Sequence, residues 1–99
     1  MVEECPLERF CKVIGSKWGS IIVSSLIKNE ELGFNELLRM LKANPKTLSD
    51  KLRLLERNGL IRRRVVEERP VRVMYSLTPR GKEASKVADY LSNWFKKFQ

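Results

Sequence analysis

Histidine is absent from this chain of 99 residues, and cysteine occurs only twice. Histidine is the most common general base near neutral pH, and the sequence also lacks a glycine-rich phosphate loop and a nucleophile motif with a base partner. Two cysteines suggest no disulfide framework, and a four-ligand zinc site would have to be shared between two subunits. We therefore expect no enzymatic activity, no catalytic residues, no metal site and no cofactor.

Long apolar runs, internal repeats and low-complexity segments are missing as well. No stretch approaches the length of a signal peptide or a membrane-spanning helix, so the sequence predicts a cytoplasmic protein without membrane contact. The five glycines and four prolines fall singly, which argues against a flexible linker. With 42% hydrophobic residues, a chain of this length buries one small core. We expect a single domain over residues 1–99, completed by dimerisation.

The positive charge of the chain is concentrated in its middle. The formal net charge is +8, and residues 42–82 contain twelve Lys and Arg against four Asp and Glu, while the flanking segments are nearly neutral. Such a concentration indicates a polyanion-binding surface, because each neutralised phosphate releases counterions. The alternative is a solvated surface that only keeps the protein soluble. The coincidence of this charge with the helix and hairpin described next favours the first interpretation.

Residues 44–59 carry the signals of one capped helix. Asn44 is a favoured N-cap, Pro45 suits the first helical position, and Asn58-Gly59 forms a terminating turn. The spacing predicts an outer face rich in Lys, Thr, Ser, Asp and Arg, which fits the major groove of DNA, and an inner stripe formed by Leu48, Leu52 and Leu55. With a shorter helix from Asn35 to Leu41, it predicts a helix-turn-helix unit over residues 35–58.

Two further helices are expected before this unit. The first covers residues 5–14, begins at Pro6 and is stopped by a left-handed Gly15. Its apolar stripe is predicted to contain Leu7, Phe10, Cys11 and Ile14. Ser16 is expected to cap the second helix, which runs from Lys17 to about Ile27, and Phe34 is expected in a short edge strand before Asn35 begins the next helix.

A β-hairpin and a long helix are predicted to complete the chain. Residues 60–66 and 71–77 form the strands, and the polar loop between them projects as a wing. Within the protein, at least one of Arg62, Arg63 and Arg64 is expected to pair with Glu56 or Glu67. The C-terminal helix over residues 79–98 carries more large apolar side chains than a thin core can use, which indicates a subunit interface.

Seven short motifs occur in order along the chain. They are Cys5-Pro6-Leu7, Ile14-Gly15-Ser16-Lys17-Trp18, Phe34-Asn35-Glu36-Leu37, Lys46-Thr47-Leu48, Leu52-Arg53, Asn58-Gly59-Leu60-Ile61 and Val71-Arg72-Val73-Met74-Tyr75-Ser76-Leu77-Thr78. Together, and at these separations, they resemble the HxlR-type winged helix-turn-helix regulators of bacteria and archaea, in the MarR-like superfamily. The resemblance covers roughly residues 5–98. It implies a mainly α fold with a small β-hairpin (α+β), in which extra N- and C-terminal helices form a dimer.

The expected partner is double-stranded DNA, with roles assigned by position in the helix and wing. The first turns of a recognition helix reach base edges, which nominates Lys46, Thr47, Ser49, Asp50 and Arg53. Phosphate contacts are expected from Lys51 and Arg57, and wing contacts from Arg69 and Arg72. The dimer interface implied by the resemblance and by the surplus of apolar side chains is predicted to contain Leu7, Phe10, Leu91, Trp94, Phe95 and Phe98.

Cys5 has two interpretations. It lies at a helix amino terminus, where the helix dipole lowers the pKa of a thiol and raises its reactivity. In some members of the family that this chain resembles, a cysteine before this proline acts as a thiol switch, so redox sensing through Cys5 is one hypothesis. The other is a small residue that fills the dimer interface.

The leading functional hypothesis is a sequence-specific transcriptional regulator that binds a pseudo-palindromic operator as a homodimer, with repression as the expected mode. A non-specific architectural nucleic-acid-binding protein would use the same basic face without sequence preference. A winged-helix protein-interaction module would lack salt-sensitive DNA binding. The sequence does not identify a small-molecule effector.

Overall fold

The described part of the chain, residues 5–67 and 69–98 in a computed structural model, forms five helices and three strands. In chain order they are α1 Pro6–Val13, α2 Lys17–Lys28, β1 Leu32–Gly33, α3 Phe34–Leu41, α4 Pro45–Arg57, β2 Ile61–Val66, β3 Arg72–Leu77 and α5 Pro79–Lys96. The sheet is antiparallel, with strand order β1-β3-β2. This architecture confirms the predicted mainly α winged helix-turn-helix with flanking helices.

Three helices begin at polar caps, and the sequence predicts two of them, Ser16 and Asn44. The Ser16 hydroxyl accepts a hydrogen bond from the Gly19 N–H at 3.1 Å, and the Asn44 side-chain oxygen accepts one from the Lys46 N–H at 2.8 Å. Thr78 does the same for α5, because its hydroxyl lies 3.0 Å from the nitrogen of Gly81. Each cap satisfies a backbone donor that the first helical turn leaves unpaired.

The end of α1 differs from the prediction. The helix stops at Val13, and Ile14 has a right-handed conformation with φ −94° and ψ −37°. Gly15 therefore does not act as a left-handed stop. Among the described glycines, a positive φ occurs at Gly59, where it is +73°. Glycine is required at position 15 for space, because a Cβ there would lie 2.6 Å from the Cys11 carbonyl oxygen.

The short strand before α3 also lies elsewhere than predicted. It consists of Leu32 and Gly33, which pair with Tyr75 and Met74 of β3. Phe34 is the first residue of α3, so this helix begins one residue before Asn35. The Glu36 carboxylate accepts a hydrogen bond from the Gly33 N–H at 3.1 Å and so closes the first turn.

The core lies between α2, α4, the sheet and the ends of α1 and α3. Leu48, Leu52 and Leu55 are each 1% exposed, which confirms the inner stripe of α4. Burial of each leucine contributes about 1.5–3 kcal/mol of transfer free energy. At the end of α1, Ile14 is buried as predicted and Val13 is buried as well, but Cys11, which was predicted to lie on the apolar stripe, is exposed.

Within the described ranges, no single helix is long and apolar enough to cross a membrane. Only α1 and α2 taken together reach that length and hydropathy, and they meet at a bend of 74°.

Candidate nucleic-acid interface

The outer face of α4 is exposed and strongly charged. Successive residues of an α-helix are rotated by about 100°, which places positions 46, 50, 53 and 57 opposite the buried leucine stripe. Lys46, Asp50, Arg53 and Arg57 are accordingly all exposed. We call these four residues the α4 outer face. It presents three cations and one carboxylate along the whole length of the helix.

The other predicted contacts on α4 lie beside this face. Thr47, Ser49 and Lys51 are half-buried, because their positions on the helix flank the leucine stripe. The structure therefore brings four of the seven residues into one continuous line and leaves three at its margins. From these margins, side chains can reach the walls of a groove more readily than the base edges at its floor.

No intramolecular ion pair engages the α4 outer face within residues 5–67 and 69–98. Lys46 and Asp50 are four residues apart, a spacing that permits a helical ion pair, yet neither forms one. The charged groups are thus available to a ligand without the loss of an existing salt bridge. Their availability distinguishes them from a cationic group that serves the protein's own packing.

The hairpin carries further arginines, and the exposed Arg64 forms an ion pair within the protein. Arg64 donates two hydrogen bonds to the Glu31 carboxylate, at 2.9 and 2.6 Å. The guanidinium of Arg64 lowers the pKa of Glu31. An internal partner was expected for one of the three consecutive arginines of β2, but Glu31 was not among the predicted candidates, Glu56 and Glu67.

Strand pairing explains how Glu31 reaches Arg64. Leu32, which follows Glu31, pairs with Tyr75 of the central strand, and Met74 on that strand pairs with Arg64. The ion pair therefore spans β3 from one edge of the sheet to the other. The predicted wing contacts Arg69 and Arg72 are both exposed near the turn of the hairpin.

A second exposed surface, apolar in character, runs along α5 and continues to Phe98, because the helix ends at Lys96 and not at residue 98 as predicted. Phe95 is 61% exposed and Phe98 73% exposed, while Trp94 packs its ring 5.0 Å from the centroids of both. Of the other predicted interface residues, Leu7 on α1 is exposed, and Phe10 and Leu91 are half-buried. Tyr90 is 72% exposed on the same helix. The sequence prediction omitted it, although it lies one helical turn before Trp94.

Cys5 is the N-cap residue of α1, and its thiol is exposed. The backbone N–H groups of Glu8 and Leu7, at the start of the helix, lower the pKa of the Cys5 thiol. Cys11 is also a free, exposed thiol. Since Cys11 lies within the regular helix and Cys5 precedes it, a bond between these two sulfurs would require α1 to unwind.

Comparison with known proteins identifies the family to which this fold belongs. The model of the HxlR-like helix-turn-helix family matches residues 13–99. The HTH-type transcriptional regulator YdeP of Bacillus subtilis is 36% identical over 98 residues, which cover 98% of this chain and 76% of YdeP.

Two solved structures have the same fold. A MarR-family transcriptional regulator from Enterococcus faecalis V583 superposes with a TM-score of 0.84 at 28% identity, covering 99% of this chain and 89% of that one. The redox regulator HypR in its oxidised form gives a TM-score of 0.79 at 32% identity, covering 94% and 96%. The chain described here belongs to the HxlR-like helix-turn-helix family of transcriptional regulators.

Proposed function

We propose that this regulator acts in the cytoplasm as a homodimer that binds a pseudo-palindromic operator in double-stranded DNA. Each subunit inserts α4 into the major groove and lays its wing along the adjacent backbone. The observation that carries the proposal is the α4 outer face, which is exposed, cationic and free of internal ion pairs in the described chain. Repression is the proposed mode, because a repressor can act by occupying a promoter and then needs no contact other than the one with DNA.

The positions along α4 suggest a division of roles. Lys46, Asp50 and Arg53 lie in the first turns, which enter the groove most deeply in helix-turn-helix proteins. Arginine and lysine recognise guanine, and an aspartate accepts a hydrogen bond from cytosine. We assign phosphate contacts to Arg57, in the last turn, and to Lys51 at the margin of the face. Thr47 and Ser49 contact either bases or phosphates from the flanks.

The apolar surface of α5 supplies the argument for a dimer. Phe95, Phe98 and Tyr90 are each more than half exposed, and aromatic side chains contribute strongly to interface energetics when buried. A second copy of the same face buries both sets of rings around a two-fold axis. Two α4 helices related by that axis then contact half-sites about 34 Å apart, one turn of the duplex.

Selection of bound sequences from random DNA tests this function. We expect enrichment of an inverted repeat, and binding that weakens steeply as salt rises, because each neutralised phosphate releases counterions. Tight, salt-sensitive binding without an enriched sequence would favour an architectural protein. Binding that is weak at low salt and insensitive to its concentration would favour a protein-interaction module.

Redox control through Cys5 is the second proposed function, and it rests on a separate observation. The thiol is exposed and its pKa is lowered by the N–H groups of Glu8 and Leu7, so a larger fraction is the reactive thiolate. The similar protein HypR is a redox regulator. We propose that a two-electron oxidant such as a peroxide or diamide joins the Cys5 sulfur to a thiol of a second subunit or to a small thiol, with loss of both thiol protons, and that this disulfide changes DNA affinity.

Diamide treatment tests the role of Cys5. We expect a shift in DNA affinity for the wild type and for Cys11→Ser, and none for Cys5→Ser. Non-reducing electrophoresis and mass spectrometry of the same samples identify the bond that forms. If diamide shifts the DNA affinity of Cys5→Ser as much as that of the wild type, the proposal is refuted.

A further inference from the structure

Asn58, the C-cap residue of α4, is bonded to two other helices through different atoms. Its side-chain oxygen accepts a hydrogen bond from the Arg9 Nε of α1 at 3.0 Å. Its backbone carbonyl accepts one from the Arg80 Nε of α5 at 3.1 Å. Its side-chain amide donates to the Leu54 carbonyl at 2.8 Å, which anchors it to the last turn of α4. We call Arg9, Asn58 and Arg80 the Asn58 junction.

The α5 side of this junction is closely packed. The Gly59 carbonyl accepts a hydrogen bond from the Thr78 hydroxyl at 2.6 Å, and the Leu60 carbonyl accepts one from the Thr78 N–H at 3.1 Å. A Cβ at Gly81 would lie 2.0 Å from the Leu60 oxygen, so only glycine allows this approach. The end of α4 and the start of α5 therefore form one rigid corner.

The α1 side of the junction is open by comparison. Arg9 and Asn58 both line a groove of about 690 Å³ that separates α1 from the end of α4 and from α5. Phe10 and Val13 on one side, and Ala84 and Val87 on the other, form its apolar walls. The Arg9–Asn58 hydrogen bond bridges α1 to α4 across this space. Hydrogen bonds depend on angle as well as on distance, so this bond restrains rotation in a way that apolar contact does not.

We propose that Arg9 and Asn58 are positioning residues that set the orientation of α4 relative to the dimer helices, and thereby the half-site spacing that the regulator accepts. The inference rests on the proposed function, in which α1 and α5 form the dimer and α4 enters DNA. In such a dimer, a rotation of α4 against α1 and α5 is applied twice, once in each subunit. The junction therefore controls the relative orientation of the two recognition helices.

Operators with altered spacing test the inference directly. Two base pairs added between half-sites turn one half-site by about 70° against the other, since the duplex repeats every 10–10.5 base pairs. For the wild type, we expect this insertion to weaken binding by about tenfold or more, an amount comparable to the effect of a mismatched base pair. For Arg9→Ala, we expect the weakening to fall below about threefold, because α4 then adapts to the displaced half-site.

Three controls separate positioning from general effects. Lys12→Ala removes a positive charge from the same helix without touching the junction, and its spacing preference should equal that of the wild type. Asn58→Ala should weaken the preference for half-site spacing as Arg9→Ala does. The double variant, which combines Arg9→Ala and Asn58→Ala, should show the same spacing preference as Asn58→Ala alone. Thermal melting identifies any variant that fails to fold. Because Arg9 is exposed, Arg9→Ala should remain folded.

An Arg9→Ala variant that keeps the wild-type spacing preference, or that loses affinity equally at every spacing, would overturn the inference. A loss of spacing preference in Lys12→Ala as large as that in Arg9→Ala would also overturn the inference. If the wild type selects no inverted repeat at all, the proposed function itself fails, and that outcome is visible before any variant is made.

Discussion

The outer sides of α4 and α5 are both exposed, yet they present opposite chemistry. The α4 outer face carries three cations and one carboxylate, whereas the rings of Tyr90 and Phe95 on α5, and of Phe98 just after it, are exposed. Exposed charges are well hydrated, so the first surface is stable in water until it meets a polyanion. The aromatic rings gain free energy on leaving water. Under the proposed function the two surfaces therefore differ in when they bind, because a second copy would cover α5 permanently and DNA would cover α4 only in the complex.

Phe95→Glu is expected to have the largest effect, because it places a charge within the proposed dimer interface. We expect the dimer dissociation constant to rise by about 100-fold or more, as for an aromatic hot-spot residue, and operator affinity to fall with it. Sedimentation equilibrium measures the dissociation constant. Asn93→Glu adds the same charge on the opposite side of α5 and should leave the dimer intact. Equal dissociation in both variants would assign the interface elsewhere.

Arg53→Ala should weaken operator binding by about 1–3 kcal/mol while weakening random DNA much less, as expected for a base contact. The change leaves the α5 surface untouched, so dimerisation should not change. Fluorescence anisotropy with specific and random duplexes measures both affinities. Lys86→Ala removes an equal charge from α5 as a control. A uniform loss on both duplexes would place Arg53 on the phosphate backbone instead.

Asn44→Ala is expected to lower the free energy of unfolding by about 1 kcal/mol, because it removes the N-cap of α4. Urea denaturation at a fixed protein concentration measures the change. The exposed Asn35 of α3 accepts no cap hydrogen bond, and Asn35→Ala serves as the matched control. If both alanine variants are equally stable, the Asn44 cap contributes nothing measurable to α4.

Glu31→Gln should have the smallest effect, and that effect should depend on pH. Arg64 lowers the pKa of Glu31 in the folded protein, so the pair stabilises the fold above the unfolded pKa of about 4.3. This contribution disappears as the pH falls through the lower folded value. We therefore expect a slightly lower melting temperature for Glu31→Gln at pH 7 and no difference in strong acid. Glu30→Gln, beside the ion pair, should match the wild type throughout.

The elements that the sequence predicts best are those fixed by neighbouring residues. The bounds of α4 follow from Asn44, Pro45 and Gly59, and its buried side follows from leucines at helical spacing. Each of these signals acts within one or two helical turns. They also determine which residues form the α4 outer face, so most of the candidate site is readable from residues 44–59 alone.

The features that were not predicted from the sequence depend on residues that are distant along the chain. Strand β1 has two residues and exists because β3 pairs with it, so it carries no periodic signal of its own. The Glu31–Arg64 pair joins residues 33 positions apart. Cys11 matches the helical spacing of an apolar stripe, which predicts that it is buried. Cys11 is exposed because of the position of α1 on the domain, and the sequence of α1 does not encode that position.

Strand β1 also has a consequence for the cost of recognition. Because Leu32 and Gly33 join the segment before α3 to the wing strand β3, the helix-turn-helix and the wing are parts of a single sheet-linked body. The freedom of these two parts to move relative to each other is lost when the chain folds, so binding to the proposed operator would not have to reduce it again. More of the contact free energy then remains as affinity.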